Sequence, residues 1–125
     1  MTLFDKTIDT LSKSLDLHLL RQSVISDNIA NAETPGFKAR KVEFESELQR
    51  AVEANETGAM GPEVLGVEAN VVQDPHSEMG QDLNTVDMDR EMAAMTKNEV
   101  QYSANTQMIN KKFFFLKYAI GEGRN

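Results

Sequence analysis

Residues 4–37 read FDKTIDTLSKSLDLHLLRQSVISDNIANAETPGF, and the spacing inside this stretch decides the fold. Phe4, Ile8, Leu11, Leu15, His18, Gln22, Ile25, Ile29 and Ala32 follow one another at alternating steps of four and three. A helix shows that stripe to a partner helix in a coiled-coil seam. Seven of the nine positions are apolar; His18 and Gln22 interrupt the stripe near its centre. Thr2 and Asp5 have the spacing of a capping box at the start. Pro35 disfavours the helical conformation for Thr34, so the helix is predicted to end near there.

The same rhythm returns at the other end of the chain. Met88, Met92, Met95, Glu99, Tyr102, Thr106, Ile109, Phe113, Leu116 and Ile120 again alternate by four and three, and eight of the ten are apolar. Asn84 or Asp87 is suited to cap the start, and Gly121 and Gly123 suit the end. Neither residues 1–34 nor 81–120 contain a glycine or a proline. Each helix would run roughly 45–50 Å at 1.5 Å per residue. A compact chain of this length has a radius of gyration of only about 14 Å. The expected fold class is mainly α: long N- and C-terminal helices packed as a coiled coil or helical hairpin, a rod rather than a ball.

The middle holds all three prolines and five of the seven glycines. Phe44, Leu48, Ala51 and Val52 predict a short helix over 43–54, and residues 55–62 read as loop. Val67, Ala69 and Val71 alternate with Glu68 and Asn70, a short strand signal, and 73–85 reads as loop or disorder. The organisation expected is one domain over 1–125: an N-terminal helix (1–34), a variable middle (35–85), a C-terminal helix (86–121) and a tail (122–125).

Composition bounds the function. The net charge is −7, which is the wrong sign for unspecific binding to nucleic-acid phosphates. The acidity sits in the middle: residues 36–85 carry −6, residues 1–35 carry −2 and residues 86–125 carry +1. Leu, Ile, Val and Phe make up 24% of the chain, just above the roughly 20% at which chains stay disordered. A compact core would be thin, so partner subunits are expected to complete it. The terminal helices are expected to be disordered in the free monomer and to order on assembly. There is no cysteine and no apolar run approaching the roughly 20 residues of a membrane span. Asp5, Asp9 and Asp16 leave no apolar region for a secretory signal near the start.

Catalytic chemistry finds little support. His18 lies on the apolar stripe and His76 in a loop, and each reads as a satisfied or solvated histidine. No nucleophile elbow, phosphate loop, dinucleotide or zincin pattern occurs. Asp87, Asp89 and Glu91 have the opening spacing of a calcium loop, but Met92 stands where its turn needs Gly and Asn98 where a Glu should chelate. They read instead as acids at a helix start. Asp74, His76 and Glu78 offer metal-ligand chemistry with nothing to fix its geometry. No cofactor, metal, nucleic acid or small-molecule substrate is expected, and the chain is not read as an enzyme. Phe113, Phe114 and Phe115 span about 200° of helix circumference, more than one partner helix covers, which points to assembly.

The most specific stretch is residues 26–37, SDNIANAETPGF. It is a helix end followed by a tight turn. Asn28 and Asn31 lie three apart on one face, able to bond neighbouring backbone or subunits. Pro35-Gly36 suits a turn with Gly at positive φ, and Phe37 is placed to fold back as an apolar plug. Ser26, Asn28, Ile29, Ala30, Asn31, Thr34, Pro35, Gly36 and Phe37 together resemble the signature of flagellar axial proteins, the rod, hook and hook-associated subunits. Residues 84–92, NTVDMDREM, are similar to the opening of the C-terminal helix in proximal rod subunits, and Phe44–Leu48 fits the same group.

The resemblance implies a structural subunit, exported without a cleaved signal through the flagellar type III apparatus. It implies stacking with itself and other rod subunits into the drive shaft crossing the periplasm, based at the junction of the MS ring and the export gate. Phe4 and Ile8 resemble the short export signal of such subunits. The apolar residues of both stripes, Phe4, Ile8, Leu11, Leu15, Ile25 and Ile29 with Met88, Met92, Met95, Tyr102, Ile109, Phe113, Leu116 and Ile120, become the assembly seam. Competing readings are the sister proximal rod subunit, whose C-terminal helix opens differently, and a soluble helical adaptor or export chaperone gripping a partner helix. A small hydrolase would need a triad or metal site that the sequence does not offer.

Overall fold

The computed structural model describes residues 2–122, with side chains for residues 6–121. The Thr2–Asp5 cap, the Phe4 side chain and residues 123–125 of the tail therefore lie outside the described residues, whereas Glu122 is the last residue of the C-terminal helix rather than tail. The elements run α1 (Thr2–Ala30), β1 (Arg40–Glu43), α2 (Glu45–Thr57), a short 3-10 turn (Val64–Gly66), β2 (Asn70–Gln73) and α3 (Met88–Glu122). The protein is mainly helical, as the two stripes require. At 1.5 Å per residue the terminal helices are about 43 and 52 Å long.

α1 and α3 pack against each other as an antiparallel hairpin: Ser14 meets Asn105 at one level and His18 meets Asn98 further along. The middle segment does not extend the rod. It folds back against another flank of α1, through β1 and the 3-10 turn. β1 and β2 form an antiparallel ribbon, with Arg40 opposite Gln73 and Glu43 opposite Asn70. Leu17 and Val24, one heptad apart on α1, meet Val42, Phe44, Ala51, Val64 and Val67 in a small core, with Leu48, Val52 and Ala69 at its margin. Each buried Leu, Val or Phe side chain among them contributes about 1.5–3 kcal/mol when removed from water. α1 is the spine, with α3 on one side and the folded middle on another.

Several boundaries differ from the sequence expectation. α1 ends at Ala30, four residues before Thr34, and residues 31–36 form consecutive turns. α2 runs to Thr57 and stops at Gly58, which takes the left-handed conformation at φ 69°. The strand expected around Val67–Val71 begins only at Asn70, because Val67 ends the 3-10 turn and is buried in the core. Its partner β1, RKVE, was not expected: three charged residues in four hide the alternation, and the ribbon is held by cross-strand pairing. Gly121 lies inside α3 rather than beyond its end. Asp87 does cap α3, its carboxylate accepting from the Asp89 and Arg90 amides at 3.0 and 3.3 Å.

Candidate assembly interface

The two motifs singled out in the sequence, fifty residues apart, dock onto each other. Asn28 is completely buried at the end of α1. Its side-chain amide brackets the backbone of Arg40: Nδ2 donates to the Arg40 carbonyl at 2.7 Å and Oδ1 accepts from the Arg40 amide at 3.0 Å. Glu91 on α3 lies close enough to the same side chain for Asn28 to favour its charged form. One asparagine thus ties α1 to β1, with Glu91 of α3 beside it. Asn31 closes the turn locally, donating to the Asp27 carbonyl at 2.8 Å and accepting from the Thr34 hydroxyl at 3.2 Å.

Gly36 sits at φ 76°, the positive region that its place after Pro35 requires. Its amide donates to the Asp82 carbonyl. Asn84, buried, donates through Nδ2 to the carbonyls of Asn31 and Thr34 at 2.8 and 2.7 Å. Thr85, also buried, donates its amide to the Phe37 carbonyl and accepts from the Ala39 amide on Oγ1. The segment before α3 therefore replaces the missing backbone partners of the turn. Phe37 is half-buried, Ile29 and Ala32 are half-buried, and Ser26, Ala30, Thr34, Pro35 and Gly36 face outward.

The α1–α3 seam is more polar than its apolar stripes suggest. On α3 the inward positions are Glu91, Met95, Asn98, Tyr102, Asn105, Ile109, Lys112 and Leu116, again stepping by four and three. Half of them are polar and spaced by seven. Buried Asn98 shares a 2.8 Å hydrogen bond with His18 Nδ1 and donates to the His18 carbonyl and Gln22 Oε1, each at 2.9 Å. Asn105 donates to Ser14 Oγ at 2.7 Å. Buried polar groups matched this way fix the register of two helices, because a slip leaves several of them unpaired. Leu11 and Ile25 are buried, and Ile8 and Leu15 half-buried.

The rotation of α3 that brings this row inward turns apolar residues near both ends of the helix outward. Met95, Tyr102, Ile109 and Leu116 stay at the seam, whereas Met88, Met92, Phe113 and Ile120 are 42–65% exposed. The described residues thus bring together half of the α3 stripe within the chain and leave the other half facing outward. Asn98 and Asn105 were missed in the sequence. Their signal was the heptad spacing from Glu91, running parallel to Ser14, Arg21 and Asn28 on α1.

Charge reinforces the junctions. Arg21 grips Glu45 and the Val42 carbonyl and lies 4.3 Å over the Phe44 ring, which His18 meets edge-on. Burial pushes the Glu45 carboxyl up, but the Arg21 hydrogen bond and charge, with backbone donors, outweigh it and hold the group at about 2. Glu91 goes the other way: burial raises it, and Asp74 and Asp87 add to the rise against the Asn28 hydrogen bond and the Arg90 charge. Asp74, considered above as a metal ligand, instead lies 3.6 Å from Arg90. Among the described residues no cluster has the composition of a metal site.

Residues 8–38 match the family described as flagella basal body rod protein, a span that includes the turn. The flagellar basal body rod protein FlgB of Borrelia hermsii is 38% identical over 86% of this chain and 90% of its own length. That of Bacillus subtilis is 33% identical over 99% of this chain and all of its own, and that of Escherichia coli K12 is 33% identical over 85% and 86%. The chain belongs to the FlgB family of flagellar basal body rod proteins. Family membership replaces the sister-subunit and adaptor readings. Within the FlgB frame, the docked motifs join the start of the middle segment to the residues that lead into α3. No helix among the described residues is long and apolar enough to cross a membrane.

Proposed function

We propose that this chain is a structural proximal rod subunit of the flagellar basal body, with no catalytic role. It assembles with itself and other rod proteins into the shaft that carries motor torque. The observation that carries this reading is the two exposed apolar ends of the α3 stripe, Met88 with Met92 and Phe113 with Ile120, beside a seam already closed by hydrogen bonds. A chain with a register-locked hairpin and exposed apolar residues at both ends of α3 is built to meet further helices. The whole chain acts as one axial unit. Residues 26–37 are its structural turn, and Ile8, Leu11, Leu15, Ile25 and Ile29 with Met95, Tyr102, Ile109 and Leu116 line the hairpin side of the assembly.

The same reading carries the finer partners. The subunit passes through the flagellar type III export apparatus without a cleaved signal, with Phe4 and Ile8 in the export signal. It then sits in the periplasm at the base of the rod, where the MS ring and export gate meet it. Deletion and complementation test the reading. Basal bodies from a deletion strain should lack rods under the electron microscope, and the intact chain should restore them. Rods of normal length in the deletion strain would refute it.

A further inference from the structure

The end of α3 and a cleft elsewhere on the same chain have matching chemistry. Phe114, Phe115 and Tyr118 are 58–65% exposed. At 100° per residue Phe114 and Tyr118 point away from the Lys112–Leu116 side that faces α1. Lys111 and Lys117 flank Phe114 three residues to either side, and no acid lies between residues 111 and 120. The cleft, of about 560 Å³, opens between α2 and α3 with α1 as its floor. His18, Phe44, Leu48 and Val52 give it an apolar and aromatic lining, and Glu53 stands at its edge beside Glu45, which Arg21 already pairs. α2 itself carries four glutamates against one arginine.

We propose that the basic aromatic end of α3, residues 111–120, seats in the α2–α3 cleft of a second copy of this chain. This rests on the rod-subunit reading and names one contact within it. The charges are opposite, and aromatic side chains bring the large apolar area that an anchor in a cleft needs. The chain cannot satisfy itself. Ala104 and Asn105 line the cleft on the same straight helix that carries Phe114, about 15 Å further along, so the donor cannot bend back to its own acceptor. The contact is therefore heterologous. Each copy offers one donor and one cleft, the arrangement that propagates into rings or helical filaments.

The chain has no cysteine, so engineered thiols report the contact cleanly. Full-length Val52→Cys and Phe115→Cys proteins, mixed at assembling concentration under mild oxidation, should give a cross-linked heterodimer. The double variant should give a ladder. A Ser14→Cys/Asn105→Cys pair, whose native side chains touch at 2.7 Å, is the control for fold and oxidation. Glu53→Lys should cut the heterodimer about tenfold, since like charges then face each other. Adding Lys117→Glu on the donor should recover it.

The proposal is overturned if the control closes while the Val52–Phe115 pair does not, or if Glu53→Lys changes nothing. It is also overturned if Phe115→Cys in basal bodies captures only a different rod subunit. Binding of the intact protein to phosphatidylglycerol vesicles through residues 111–120, with no cross-link, would overturn it in favour of a lipid surface. Rods that form normally while the cross-link fails refute this contact alone. Rods that form without the chain refute the rod reading, whatever the cross-link shows.

Discussion

Asn28→Asp is the sharpest probe of the turn. Asn28 is fully buried, and its Nδ2 donates to the Arg40 carbonyl at 2.7 Å. An ionised aspartate keeps the acceptor for the Arg40 amide but removes that donor, and it sets a second carboxylate against Glu91. A buried carbonyl left unpaired costs about 1–3 kcal/mol, and the like-charge contact adds to it. The ceiling is set by protonation. Keeping an aspartate neutral at pH 7 costs about 4 kcal/mol, from 1.36 kcal/mol per pH unit above an ordinary value near 3.9. The expected loss at pH 7 is therefore about 3 kcal/mol.

A neutral carboxyl can both donate and accept, so it restores the bracket on Arg40. The folded-state pKa of the introduced carboxyl is raised above its unfolded value. Its penalty is thus absent below pH 4 and grows as pH rises through the window above it. Urea unfolding followed by far-UV circular dichroism checks this at pH 4 and pH 7. With a slope near 2 kcal/mol/M, the midpoint should drop by about 1.5 M at pH 7 and return nearly to the parent value at pH 4. Asn31→Ala, which loses only exposed hydrogen bonds, should cost about 1 kcal/mol or less. An equal deficit for Asn28→Asp at both pH values, or none at pH 7, would show that the bracket on Arg40 does not hold the turn.

Glu45→Gln should flatten acid unfolding. The native carboxyl is held at about 2, so its contribution is present above about 4.5 and lost as pH falls towards 2. Stability-versus-pH curves of parent and variant should converge at the acid end, and parallel curves would contradict the assignment. Gly36→Ala should cost about 1–2 kcal/mol through its positive φ alone, since nothing lies within 4 Å of the added Cβ. Gly66→Ala, with open space and no positive φ, should stay within about 0.5 kcal/mol in the same thermal melts. Phe113→Asp, at a 52% exposed position, should leave the melting of the free protein nearly unchanged while abolishing rods in basal-body preparations. Ile25→Asp, 5% exposed, should lose both, because an unpaired buried carboxylate costs several kcal/mol. Equal melting losses in the two variants would contradict the division into inner and outer positions.

The sequence alone determined the two long helices, the turn and the family. Helical periodicity, proline and glycine placement and caps are local properties, so Pro35 and Gly36 could be read directly from their neighbours and the cap of α3 narrowed to Asn84 or Asp87. Register and rotation are not local. Two stripes allowed any pairing that buried apolar residues. The tertiary structure chose the one in which Asn98 meets His18, Asn105 meets Ser14 and Glu91 meets Asn28, because buried polar groups tolerate no other alignment. That choice left Met92 and Phe113 outside. The second face of α1 was equally hidden. Leu17 and Val24 lie off the seam in sequence and became core only when residues 40–67 folded back over them. The docking of Asn84 and Thr85 onto the turn joins segments some fifty residues apart, a contact that no local pattern encodes.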